Sequence, residues 1–172
     1  MLSQAASLLL LCFAENWPEA WPDRQAALQE VQEALQEGHI CRGAFGGDGQ
    51  LLGWIGGQSS YHGRVWGLHP LAIHPSWQSR GIGRRLVADF EDQVRQRGGL
   101  TILLGTDDQN GMTSLSGIDL YPDLWEQIEN IRNQRRHPYE FYQKLGYTIT
   151  GVIPDANGRG KPDILMAKRV AR

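Results

Sequence analysis

The most constraining feature of this chain is a turn that joins a strand to a helix. Val65 to Ile73 reads as a strand running into His74-Pro75, where a proline without an N–H ends regular pairing. Gln78-Ser79-Arg80-Gly81-Ile82-Gly83 follows, and then Ile82, Leu86, Phe90 and Val94 recur every four residues before Gly98-Gly99. That recurrence predicts an amphipathic helix with one apolar stripe. A helix start leaves N–H groups without intrahelical partners and carries partial positive charge. Glycines let such a backbone close on a pyrophosphate with no Cβ in the way. Arg80, Arg84 and Arg85 gather positive charge there, in a chain whose 17 Lys and Arg against 19 Asp and Glu leave −2 overall. The same residues would equally make a tight turn with solvated arginines. Spacing excludes two phosphate motifs. Gly83 is followed by Arg84-Arg85 rather than by lysine and a hydroxyl residue, and Leu86 fills the third small position of a dinucleotide fingerprint.

The remaining elements predict an α/β domain with a mixed sheet. Residues 5–15 read as a first helix, and Asp23 caps a second from Arg24 to Glu37. Ile40 to Phe45 and Leu51 to Gln58 are strands around Gly46-Gly47-Asp48-Gly49. Leu100 to Leu104 is a short strand, residues 105–121 read as loop, and Leu124, Trp125, Ile128 and Ile131 mark a helix begun at Pro122. Pro138 opens a helix through Leu145, and Tyr147 to Ile153 and Ile164 to Val170 are closing strands. With 172 residues and 41% hydrophobic content, the expectation is a single domain, 1–172, carrying an acidic loop-helix insertion at about 105–137.

Composition narrows the partners. A net negative chain is not expected to bind nucleic acid, which needs a basic face. The longest apolar stretch, Ala5 to Ala14, falls short of the roughly 20 residues of a membrane span, and no Lys or Arg precedes it as in a signal peptide. No membrane association is expected. Cys12 and Cys41 make neither a disulfide framework nor a four-cysteine zinc site, and the five histidines lack metal-ligand spacing. A reduced cytoplasmic setting without metal fits.

The segment from Asp107 to Glu129 holds six acids and no Lys or Arg. Asp123, Glu126 and Glu129 suit a solvated helix face. Asp107 and Asp108 lie at the carboxyl end of a strand, where open α/β sheets place ligands. Carboxylates there would attract a small polycationic amine. Trp17 and Trp21, between the first two helices, and Tyr61, before the third strand, offer aromatic faces for sugars or ammonium groups. Either tryptophan would serve equally as core.

Gln78-x-x-Gly81-x-Gly83 after a strand, with the late Phe141-Tyr142-x-Lys144-Leu145-Gly146-Tyr147, resembles the GNAT acetyltransferases. Leu68-His69-Pro70-Leu71, Gly98-Gly99-Leu100-Thr101-Ile102, Leu104-Gly105-Thr106-Asp107-Asp108 and Asp119-Leu120-Tyr121 resemble aminoglycoside 6'-N-acetyltransferases. His137-Pro138-Tyr139-Glu140-Phe141-Tyr142, Asp155-Ala156-Asn157-Gly158 and Lys161-Pro162-Asp163-Ile164 do so too. The likeness is strong from about residue 61 to 170.

The resemblance implies a mainly antiparallel sheet flanked by helices, acetyl-CoA as co-substrate, and a homodimer. It implies acetyl transfer to an aminoglycoside 6'-amine, the antibiotic-resistance type of activity, by direct attack in a ternary complex. A polyamine or a protein amine is the alternative acceptor, and a non-catalytic acyl-CoA-binding module the alternative role. The cofactor residues implied are Leu71, Ala72 and Ile73, whose N–H groups polarise the thioester carbonyl, and Gln78, Ser79, Arg80, Gly81, Ile82, Gly83 and Arg84 at the pyrophosphate. Tyr142 would stabilise the leaving sulfur. Because a tyrosine's reference pKa exceeds a thiol's by about 1.5 units, or roughly 2 kcal/mol, hydrogen bonding is the safer role than full proton donation. Some relatives carry a glutamate directly before Leu-His-Pro-Leu, where Gly67 stands here. The base is then Asp107, a water chain, or no base beyond the small neutral fraction of amine.

Overall fold

The computed structural model describes residues 1–171. Six strands make one mixed, mostly antiparallel sheet flanked by helices, the class the sequence suggests. The chain gathers into two compact units, Met1–Ile102 with the C-terminal residues from Arg169 on, and Leu103–Lys168.

The first unit contains α1 (Leu2–Phe13), α2 (Arg24–Ala34), β1 (Ile40–Phe45), β2 (Leu51–Ser60), β3 (Val65–Ile73) and α3 (Ile82–Gln96). Asp23 caps α2 as anticipated, its carboxylate accepting from the Ala26 N–H at 2.8 Å. β1 pairs antiparallel with β2, and β2 with β3. Between Ile55↔Leu71 and Gly57↔Leu68 the register shifts, so β3 bulges at His69-Pro70. The apolar stripe of α3 is buried at Ile82, Leu86, Val87, Phe90 and Val94. A second core joins α1 and α2 through Leu8, Leu9, Trp21, Ala27 and Val31, with Trp54 of β2.

The second unit contains most of β4 (Thr101–Asp107) and β6 (Asp163–Arg169), with α4 (Leu124–Glu129), α5 (Tyr139–Lys144) and β5 (Thr148–Ile153). β4 runs three residues past the expected Leu104, because buried Ile102, Leu104 and Thr106 continue a two-residue alternation. α4 is shorter than expected and buries none of its residues, and Trp125 is 71% exposed. β5 and β6 pair antiparallel, with Ile153 opposite Asp163.

Candidate active site

At the turn, His74 Nδ1 accepts from the Ser76 N–H at 3.2 Å and opens a single 3-10 turn over Pro75–Trp77. Gln78 folds back, its Nε2 donating to the Ile73 carbonyl at 3.2 Å, so the end of β3 is tied to the turn. Ser79 and Gly81 both have positive φ, +60° and +82°. Gly81 caps α3 with no side chain, which leaves the first amides of that helix without a capping group. Arg80 lies over the Trp77 ring at 4.8 Å, and Ser79, Arg80, Gly81 and Arg84 are exposed. The Ile82 side chain is buried, so only its backbone faces the turn. A bare helix start with exposed arginines has the shape and charge for a diphosphate.

Leu71 and Ile73 are half-buried and Ala72 is buried, all paired with β2. Gly67 has room beside it, since an added Cβ would meet only the Gln58 carbonyl at 3.9 Å. Trp17 and Trp21 line one cavity, and Tyr61 is not among its lining residues. Trp21 is 8% exposed, with Phe13 edge-on at 4.7 Å and His69 stacked at 5.7 Å. It packs in the core between the first two helices and shows only an edge to the cavity beside it. Trp17 is half-buried and lines, with Leu9, Leu10, Phe13, Ala14, Pro18, Trp21 and Pro22, an uncharged cavity of about 270 Å³. Tyr61 is 73% exposed in a left-handed turn at φ +49°.

In the second unit the two aspartates at the end of β4 separate in role. Asp108 is fully buried, and its oxygens accept from the Met112 and Thr113 N–H groups, each at 2.7 Å. It shapes the loop after β4, which corrects the expectation that it reaches substrate. Asp107 is half-buried, its Oδ1 accepting from Asn157 Nδ2 at 2.5 Å. His137 fixes the backbone there. Its Nδ1 accepts from the Tyr139 N–H at 3.2 Å, so the proton sits on Nε2, which donates to the Asp107 carbonyl at 3.2 Å. Burial pushes His137 below its ordinary value and favours this neutral tautomer. Asp163 starts β6, and burial and the Asp107 charge push its carboxyl up to about 6. Tyr142 on α5 is buried, edge-on to Phe141 at 5.0 Å and to Tyr147 at 5.6 Å. Burial raises its phenol well above the usual tyrosine range.

Residues 2–115 match the model of the acetyltransferase (GNAT) family. The chain belongs to the GNAT acetyltransferase family. Comparison with curated proteins gives no match. Among solved structures, an aminoglycoside 6'-N-acetyltransferase complexed with coenzyme A is 43% identical, with TM-score 0.92 over 99% of this chain and 91% of that one. The aminoglycoside 6'-N-acetyltransferase from Enterococcus faecium is 42% identical, with TM-score 0.88 over 99% and 91%. An aminoglycoside 6'-acetyltransferase type Ii is 37% identical, with TM-score 0.74 over 99% and 90%.

GNAT enzymes use acetyl-CoA, and the bare turn before α3 fits its diphosphate. Among the described residues, no group of three or more His, Cys, Asp or Glu is placed to hold a metal ion, and no helix is long and apolar enough to cross a membrane. Burial pushes Cys12 up to about 11 and raises Cys41, so both stay thiols and neither is an activated nucleophile. Substituting Gly81→Val puts a branched side chain at φ +82° and beside the open amides. Calorimetry should show CoA affinity falling roughly tenfold, about 1.4 kcal/mol.

Sequence reasoning passed over Gly105, Asn157 and Asp163 as chemistry. Asn157 and Asp163 stand inside strings quoted for their resemblance, but no local pattern says that either meets the end of β4, 50 residues away for Asn157.

Proposed function

We propose that this GNAT enzyme transfers acetyl from acetyl-CoA to the 6'-amine of an aminoglycoside. The observation that carries the reading is an end-to-end likeness, above 40% identity, to two proteins of that activity. The acidic segment supports it, since Asp107 closes a strand in a region without Lys or Arg that would attract a polycationic aminosugar. With both cysteines kept as thiols, the amine attacks the thioester directly in a ternary complex. In this reading the end of β3 from Leu71 to Ile73 polarises the carbonyl and Tyr142 donates to the departing sulfur. Asp107 holds an ammonium of the acceptor, and Trp17 and Tyr61 supply aromatic contact.

Two copies pairing belongs to the same reading, supported by Ile153, 47% exposed on β5 at the sheet edge, and light scattering should give twice the chain mass. A cytoplasmic setting, where aminoglycoside would be met, is supported by the free thiols Cys12 and Cys41.

The deciding experiment follows thiol release from acetyl-CoA against aminoglycosides with a 6'-amine, matched compounds with a 6'-hydroxyl, spermidine and basic peptides. Turnover confined to the 6'-amine set is expected. Equal rates on the 6'-hydroxyl compounds, or a preference for spermidine or peptide, would replace this acceptor.

A further inference from the structure

An amine attacks a thioester only in its neutral form, so an ammonium must first give up a proton. Gly67 supplies no side chain to take it. We propose that Asp163 is the carboxylate that receives this proton, as the partner of Asp107, which holds the ammonium. The inference rests on the acetyltransferase reading above and adds a residue to it.

The geometry comes from three neighbours. Asp163 lies directly on the bare backbone of Gly105, where an added Cβ would come within 2.5 Å of Oδ2 and 2.8 Å of Oδ1. Its Oδ1 is buried and has no hydrogen-bond partner among the described residues. A buried oxygen without a donor is costly as part of an anion and much less so as part of a carboxyl group. Asp107 is held differently, since Asn157 Nδ2 donates to its Oδ1 at 2.5 Å. Burial and the nearby Asp107 charge raise the proton affinity of Asp163, so Asp163 is poised to take a proton.

Other groups do not reverse this direction. The Thr106 backbone N–H draws the Asp163 value down, but burial and the Asp107 charge outweigh it. His137, against the Asp107 carbonyl, is held neutral by burial. Asp155, Arg159 and Lys161 of the preceding turn are exposed. A carboxylate near 6 is mostly ionised at neutral pH yet basic enough to take part in proton transfer.

The step balances. An N–H bond of R–NH3⁺ breaks and an O–H bond forms on Asp163, leaving R–NH2 and a neutral carboxyl. The nitrogen lone pair then attacks the thioester carbonyl. The C–S bond breaks, and CoA leaves as the thiol with the second proton from nitrogen. Asp163 returns its own proton to solvent.

Asp163→Asn keeps the size and an acceptor oxygen for Thr106 but removes the base. The expected result is a fall of about 100-fold in kcat/KM at pH 7 with CoA affinity unchanged, and loss of the acid-side limb near pH 6. An acceptor amine of low basicity, already neutral at pH 7, should be turned over by the variant within about threefold of wild type, because no proton need leave it first. Stability adds a sign. The folded value is raised above the unfolded one, so the native state binds more protons between about pH 4 and 6 and loses stability as pH rises through that window. Asp163→Asn should therefore raise Tm at pH 8, whereas loss of a merely structural carboxylate would lower it.

A variant that keeps the acid limb, or that loses both acceptors equally while melting lower, overturns the assignment. Carbon-13 NMR of the aspartate carboxyls reads the pair without turnover. A signal titrating near pH 6 should vanish in Asp163→Asn and move lower in Asp107→Asn. A signal for Asp163 near the ordinary pH 4 overturns the pair in any protein. The kinetic arm uses whichever amine the acceptor panel identifies, so a different acceptor class overturns only the aminoglycoside reading.

Discussion

Tyr142→Phe should lower kcat about 100-fold while leaving acetyl-CoA affinity within twofold. The loss is that of one hydrogen bond made chiefly in the transition state, where charge gathers on the departing sulfur. Burial decides which form of the side chain is present. The phenol is pushed well above its ordinary value, so it remains a neutral donor throughout the working range. Complete proton transfer to a thiolate becomes more uphill than the roughly 2 kcal/mol set by reference values, and a hydrogen bond is what remains. Packing should survive the substitution. The ring keeps its edge-on contacts with Phe141 and Tyr147, at 5.0 and 5.6 Å, because neither needs the hydroxyl. Tm should therefore move little, and kcat should show no falling limb from tyrosine ionisation up to about pH 10. Steady-state kinetics beside CoA calorimetry reads both halves. A variant with full kcat removes the role, and one that loses CoA affinity and kcat together places Tyr142 in cofactor binding.

How much of this was legible beforehand follows the range of each interaction. The turn from Gln78 to Gly83 and the stripe of α3 are local, written in residue order, and the bounds of β1 and β3 follow the sequence residue by residue. Asp23 as a cap is equally local. What the sequence hides are meetings between distant segments. Asp108 reads like Asp107 until the loop folds back and presents two backbone amides to it. Trp21 reads equally as a core residue or as an aromatic face for a ligand until Phe13 and His69 close on it. Asp163 follows Pro162 at a strand start, and nothing in that string reveals the bare backbone of Gly105 under it. In each case the neighbours that a distant segment brings, rather than residue type, set the surroundings of the side chain.

The same distinction governs the glycines of β2 and yields the largest stability effect. Gly53 and Gly57 lie four residues apart on one face of that strand, as Leu86 and Phe90 lie one turn apart on α3. An added Cβ at Gly53 would stand 2.6 Å from Ile73 Cδ1, 2.9 Å from the Ala72 carbonyl and 3.4 Å from Leu86 Cδ1, and at Gly57 it would stand 2.4 Å from Phe90 Cζ and 2.4 Å from the Gly67 carbonyl. Both sites meet the backbone of β3, but the approach is closer at Gly57, where a rigid aromatic ring of α3 stands on the other side. Bare backbone at Gly57 is thus what lets α3, whose start is the proposed diphosphate site, lie against the sheet. Gly57→Ala should cost about 3 kcal/mol, the upper end of ordinary overpacking. At about 2–4 °C per kcal/mol for a chain of this size, Tm should fall by roughly 10 °C. CoA affinity should weaken with it, because the helix start moves with Phe90. Gly67→Ala is the control on the facing strand, where the new methyl meets only the Gln58 carbonyl at 3.9 Å, and its stability should stay within about 0.5 kcal/mol of wild type. Thermal melts of the two variants side by side test the argument. Equal losses would mean that the cost is one of glycine flexibility in strands, and that α3 does not owe its seat to the space at Gly57.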